Sequence, residues 1–227
     1  MSKAGPIVRR RNDADETRRR VLDAVIATII DIGYYKASSN EIARRAGVTW
    51  GSIQHLFGSR EQLMLDVVND IGVNMEQRFG KAEIKGDTLE ERLENVVKVL
   101  STHYEQDIYL VQIQILLELS SNPKMSRGRR AVQRRNSEVV DHLARPLLAK
   151  AIGPAADDHE LVLFTFLTLR GYLGTLSLGR RIAEMRDGTV LKLVSGGGSE
   201  DMIRTLLVNS VAATIRAEAK RRGHKLN

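Results

Sequence analysis

Residues 41–59 read EIARRAGVTWGSIQHLFGS, and their pattern decides the fold. Ile42, Ala43 and Ala46 give a first short helix, over 39–46, one apolar face. Gly47 follows as a turn residue, with Val48 placed to plug the corner. Ile53, Leu56 and Phe57 anchor a second short helix, over 49–57. Two short helices joined by a tight glycine turn cross steeply and can present the second to a major groove. Subtracting the anchors leaves Thr49, Trp50, Gly51, Ser52, Gln54 and His55 on the other side.

That outward set consists of hydrogen-bonding groups and one flat aromatic. Thr49 is placed to cap the helix, and with Ser52 and the free N–H groups it forms a seat for a phosphate. Gln54 has the groups to read an adenine edge or reach a phosphate, and His55 suits a backbone contact. Gly51 permits close approach to a duplex. Trp50, the only tryptophan, sits at the tip that goes deepest. Two readings of it stand side by side: a group packed on a thymine methyl or sugar edge, or a side chain folded back onto the first helix.

Charge supports a polyanionic partner. The chain carries a net charge of +7, from 35 Lys/Arg against 28 Asp/Glu. Residues 1–60 hold 11 Lys/Arg and 6 Asp/Glu, a surplus of 5, which leaves 2 for the remaining 167 residues. A basic end on a nearly balanced body favours nucleic acid first and a membrane surface second. Residues 1–12 are expected to be a flexible basic arm, reaching a minor groove or simply solvated. There is no cysteine, which removes disulfides and thiolate metal sites. The first residues, MSKAGPIVRRR, lack the apolar core of a secretory signal, so a cytoplasmic protein without a membrane partner is expected.

Helical periodicity continues throughout. Val21, Leu22, Val25, Ile26, Ile29 and Ile30 stripe a helix over 18–32 that stops at Gly33. Ser59 with Gln62, Thr88 with Glu91, and Asp157 with Glu160 mark helix starts. Further helices are expected over 107–121, over 125–151 with a bend at Pro146, and over 199–222. Only TVLKLV at 189–194 hints at a strand, and GGGS at 196–199 reads as a flexible joint. The class is all-α, with about nine helices.

Residues 33–63, GYYKASSNEIARRAGVTWGSIQHLFGSREQL, resemble the DNA-binding segment of the TetR/AcrR family of bacterial transcriptional regulators. The resemblance rests on Gly33-Tyr34, Ile42-Ala43, Ala46-Gly47-Val48, Gly51, Phe57 and Ser59-Arg60-Glu61. It implies a helix-turn-helix domain over 13–58 and a ligand-binding and dimerisation domain over 59–227. It also implies base or groove contacts from Asn40, Thr49, Trp50 and Gly51, and phosphate contacts from Ser38, Ser39, Ser52, Gln54, His55 and Arg60. Departures are Trp50 where a small polar or basic residue is common, Gln54 for a usual tyrosine, and Ala37 for a frequent threonine, which moves the cap to Ser38 or Ser39.

Downstream, the helix over 107–121 is apolar nearly all round, with Ile108, Val111, Ile115 and Leu119 on one face and Leu110, Ile113 and Leu117 on the other. Gln112 on it is either a polar anchor for an apolar ligand or a hydrogen-bond partner of a neighbouring helix. Between Leu161 and Gly179 the only charged residue is Arg170, either an effector contact or a structural ion pair. Apolar faces on this segment and on the last helix, at Ile203, Leu206, Leu207, Val211 and Ile215, suit a four-helix interface between two copies. The run Lys124 to Arg135 carries six positive charges and no negative one. His103, His142 and Glu118 have no metal-ligand spacing, so no metal and no cofactor is expected.

The expected function is that of a homodimeric regulator, a repressor, on a palindromic double-stranded DNA operator, released by a small-molecule effector. Alternatives are an activator of the same fold, a helical-bundle enzyme and a protein-binding adaptor. The enzyme reading lacks a nucleophile–base pair or cofactor motif.

Overall fold

The computed structural model describes residues 6–121, 130–131, 134, 139–185 and 197–226. Among these there is no strand, and nine α-helices: α1 (Pro6–Ile32), α2 (Ser39–Ala46), α3 (Trp50–Phe57), α4 (Arg60–Lys81), α5 (Leu89–Tyr104), α6 (Asp107–Ser121), α7 (Arg145–Ile152), α8 (His159–Met185) and α9 (Gly197–Arg222). Residues 189–194 and most of the run from Lys124 to Arg135 lie outside the described residues. The chain divides into two compact units, Met1–Val73 with Asp107–Arg134, and Asn74–Gln106 with Arg135–Asn227. The division falls inside α4, and α6 packs on α1 in the first unit.

In the first unit Val21, Leu22, Val25 and Ile29 of α1 are buried together with Ile42, Ala43 and Ala46 of α2 and Ile53 and Phe57 of α3. Leu63, Met64, Val67, Val68 and Ile71 of α4 and Val111, Ile115 and Leu119 of α6 complete this core. α1 is longer than its apolar stripe: it starts at Pro6, where the missing N–H costs a helix nothing. The segment expected to be a flexible arm is therefore helical from residue 6. α6 is covered on one side rather than two: Leu110 and Ile113 are half-buried and Leu117 is exposed. Composition could not separate these cases, because both faces carry the same residue types.

In the second unit α5 begins with a complete capping box. Thr88 Oγ1 accepts from Glu91 N at 3.2 Å, and Glu91 Oε2 accepts from Asp87 N at 2.7 Å and Thr88 N at 3.2 Å. Ahead of Pro146 the chain makes one π-helical turn, Val140–Ala144, before resuming as α7. Arg145 N donates to Val140 O, the i→i−5 bond of a wide turn, immediately before Pro146, whose ring nitrogen has no hydrogen to donate. A 3₁₀ turn over Gly153–Asp157 moves the cap of α8 one residue on, from the expected Asp157 to Asp158. Asp158 Oδ1 accepts from Glu160 N at 3.0 Å and Leu161 N at 3.2 Å. The same carboxylate pairs with Arg222 at 2.9 Å and His224 at 3.2 Å, fastening the end of α9 to the start of α8. α9 takes in residues 197–199 of the expected glycine joint.

α8 is long and apolar enough to cross a membrane over His159–Ile182, with a mean hydropathy of 1.5. Its apolarity is divided between two faces. Leu161, Val162, Phe166, Leu169 and Leu173 are buried in the unit, while Phe164, Leu167, Leu178 and Ile182 are exposed.

The carboxyl end of α4 is closed by one side chain. Lys150 Nζ, from α7, donates to the carbonyls of Gly80 at 2.7 Å, Ala82 at 2.8 Å and Phe79 at 3.3 Å. Phe79 and Gly80 lie in the last turn of α4, where carbonyls lack intrahelical partners, and a cation there also suits the helix dipole; the Phe79 oxygen accepts from Ala82 N as well, at 3.2 Å. Lys150→Met keeps the aliphatic stem and removes the donors, so it is expected to lower unfolding stability by about 1–2 kcal/mol, read from urea midpoints.

Candidate nucleic-acid interface

The corner between α2 and α3 is set by Gly47 at φ 66° and ψ 33°, a left-handed conformation that a side chain would strain. The N–H of Val48 then donates to Ala43 O at 3.0 Å, and that of Gly47 to Arg44 O at 3.2 Å, closing the carboxyl end of α2. Both short helices carry amino-terminal caps. Ser38 Oγ accepts from Glu41 N at 3.2 Å, so Ser38 and not Ser39 takes the capping role. Thr49 Oγ1 accepts from Ser52 N at 3.1 Å and lies 2.9 Å from Ser52 Oγ.

With Ile53 and Phe57 buried and Leu56 half-buried, α3 turns Thr49, Gly51, Ser52, Gln54 and His55 to the outside, where all five are exposed. Ser38 and Asn40 are exposed beside them, and Ser39 is half-buried. Trp50, the first residue of α3, is half-buried, between the two placements the sequence allowed. Gly51 is not required by the fold: a Cβ built there meets only Thr49 Oγ1, at 3.7 Å.

Electrostatics departs from the simplest reading of the charge surplus. Arg44 and Arg45 both bond Glu41, at 2.7 Å and 2.6 Å, and Arg45 also reaches Asp31 at 2.6 Å. Arg18 pairs with Asp66. Arg60, expected as a free phosphate ligand, is half-buried with its guanidinium 5.5 Å from the centre of the Tyr34 ring. Burial raises the Tyr34 phenol above its ordinary range, with the Arg60 charge opposing. Much of the basic character in residues 13–60 is thus balanced within the unit, while Arg19, Arg20 and Lys36 remain exposed.

The sequence did not reveal the amide that holds the α1–α2 turn from α6. Gln114 Oε1 accepts from the N–H of Tyr34 at 3.2 Å, and Tyr35 Oη lies 3.4 Å from Glu118. Gln112, the amide singled out instead, is half-buried on the same helix. The Ser59–Gln62 signature is half realised: Ser59 Oγ accepts from Gln62 N at 3.1 Å, but the Gln62 side chain donates to Asp66 at 2.8 Å. In the second unit the Arg170 guanidinium lies 5.9 Å from the Phe166 ring. A pocket of about 50 Å³ there is lined by Val97, Tyr104, Tyr172, Leu173, Arg180 and Arg204 among others, and by neither Gln112 nor Arg170.

Residues 21–67 match the family described as bacterial regulatory proteins, tetR family. Over 54 residues, 24% of this chain and 27% of the relative, the sequence is 43% identical to the HTH-type transcriptional regulator BetI of Cronobacter sakazakii. Residues 21–67 are a tetR-family domain. BetI of Agrobacterium fabrum is 30% identical over 82 residues, 36% of this chain and 40% of that protein. These matches therefore span about a quarter to two-fifths of the relatives' length. The TetR fold extends further than the sequence likeness. A transcriptional regulator from Rhodococcus sp. Rha1 superposes with a TM-score of 0.59 at 16% identity, over 87% of this chain and 96% of that one. The fatty acid degradation regulator FadR of Bacillus halodurans gives 0.52 at 20% identity, over 94% and 96%.

Glu41 supplies the pH dependence of the corner. Hydrogen bonds from Arg44 and then Arg45 pull its carboxyl from the usual 4.5 down to about 2. A depressed carboxylate contributes stability that is present above the unfolded value and lost as pH falls through the folded one. Thermal unfolding followed by circular dichroism should show this contribution intact above pH 4.5 and lost towards pH 2, and Glu41→Gln should flatten that part of the profile.

Proposed function

We propose that this chain is a homodimeric transcriptional repressor that inserts α3 into the major groove of a palindromic DNA operator and leaves it when a small-molecule effector binds. The observation that carries the reading is the outer face of α3, polar and exposed, with a glycine in its first turn that the fold does not need. Asn40, Thr49, Trp50 and Gly51 are assigned to base edges and groove. Ser38, Ser39, Ser52, Gln54 and His55 are assigned to phosphates, joined by Arg60 once it leaves the Tyr34 ring. Trp50, half-buried, keeps one side on its own unit and offers the other to the duplex.

A second copy is the occupant proposed for the exposed face of α8. Phe164, Leu167, Leu178 and Ile182 recur at helical spacing, with the exposed Gly171 between them, and α9 adds exposed Met202, Ile203 and Leu206. Two such helices from each copy make a four-helix seam and set two recognition helices about 34–36 Å apart. The effector is assigned to the second unit, with Arg170 as its candidate polar contact; Gln112, on α6, belongs to the first unit. The cytoplasm is the compartment of such a regulator.

An electrophoretic shift with the DNA upstream of the chain's own gene, at varied salt, tests the reading, and added candidate effectors should abolish the shift. Gly51→Ala separates fold from function: it should leave thermal stability unchanged or raised by up to about 1 kcal/mol, yet weaken the shift. Equal binding by this variant would remove the groove from the account. Leu206→Glu should convert dimer to monomer in analytical ultracentrifugation and abolish operator binding with it; a dimeric variant would place the seam elsewhere.

A further inference from the structure

The recognition helix has eight residues, too few to hold its own shape or direction. Its start is fixed by the Thr49 cap and its inner face by Ile53 and Phe57. Its far end is held by a residue of another helix. The guanidinium of Arg18, on α1, lies 4.5 Å from the centre of the Phe57 ring, and its Nη1 donates to the carbonyl of Leu56 at 3.4 Å. That carbonyl belongs to the last turn of α3, where helix oxygens lack partners and a cation suits the dipole. The other arm, Nη2, donates to Asp66 on α4, whose side chain is 14% exposed. Asp66 is itself held by Gln62 Nε2 at 2.8 Å. One planar fork thus touches the last turn of α3, the ring beneath it, and α4. Lysine, with a point charge, cannot make those contacts together.

We infer that Arg18 and Asp66 are positioning residues for DNA readout: their pair sets the angle and depth at which α3 meets the duplex. The inference rests on the DNA-binding reading above and goes beyond it, because neither residue lies on the exposed face of α3.

Asp66 separates this role from simple electrostatics. Removing a negative charge from a DNA-binding unit strengthens binding to a polyanion if charge alone matters. The positioning role requires the opposite. On the duplex that the full-length protein itself selects from a random library, Asp66→Asn, Arg18→Met and Arg18→Lys are each expected to bind about tenfold more weakly. Their slope of log affinity against log salt should stay within about half a unit of the parent, whereas loss of a phosphate contact lowers it by about one. The double variant Arg18→Met/Asp66→Asn should be no weaker than Arg18→Met, and amide exchange over residues 50–58 without DNA should quicken in Asp66→Asn. Binding by Asp66→Asn equal to or tighter than the parent overturns the inference, as does full affinity in Arg18→Lys with a slope lowered by one in Arg18→Met. Should the parent select no duplex, the DNA-binding reading fails, and the exchange rates still decide whether the pair holds α3.

Discussion

Everything in the first unit depends on one backbone conformation, the left-handed Gly47 at the end of α2. With that residue at φ 66°, α3 leaves the corner at an angle that brings Ile53 and Phe57 into the same core as Ile42 and Ala46. The apolar side of so short a helix is then fully committed, and the polar side has no choice but to face outward. A side chain at this position would pay for the left-handed region and shift that angle, exposing the anchors and burying donors that need partners. The exposed face of α3 is therefore a consequence of how the core closes.

Ion pairing refines that picture. The amino-terminal charge surplus suggested many arginines free to meet a polyanion, but Arg18, Arg44 and Arg45 each bind a carboxylate of their own unit. What these pairs add is orientation. Arg45 ties α2 to α1 through Asp31, and Arg18 ties the end of α3 to α4 through Asp66. Exposed pairs contribute little to stability, so their value in such a unit lies in fixing where the outward groups point.

The fold was legible wherever a local rule acted alone. Thr88 and Glu91 announced α5, Gly47 the corner, and Ile42, Ala46, Ile53 and Phe57 the core of two short helices. The readings that shifted were those decided by distant partners. Asp158 caps α8 in place of Asp157 because a 3₁₀ turn precedes it, and Gln62 turns to Asp66 because Arg18 has already oriented that carboxylate. α6 looked the same on both faces and packs on one, and Gln114, not Gln112, bonds the Tyr34 backbone, since spacing alone cannot say which amide meets the α1–α2 turn 80 residues away. In α8 the apolar residues were visible, but their division into a buried face and an exposed one was not.

In the function we propose, two copies press their α3 helices into successive major grooves of one duplex. Methylation interference at guanine N7, an atom reached only through the major groove, tests it most directly on the bound DNA. Two inserted helices should give two patches of interference, related by the symmetry of the site and centred about one helical turn apart. A single patch, or binding indifferent to N7 methylation, would contradict it.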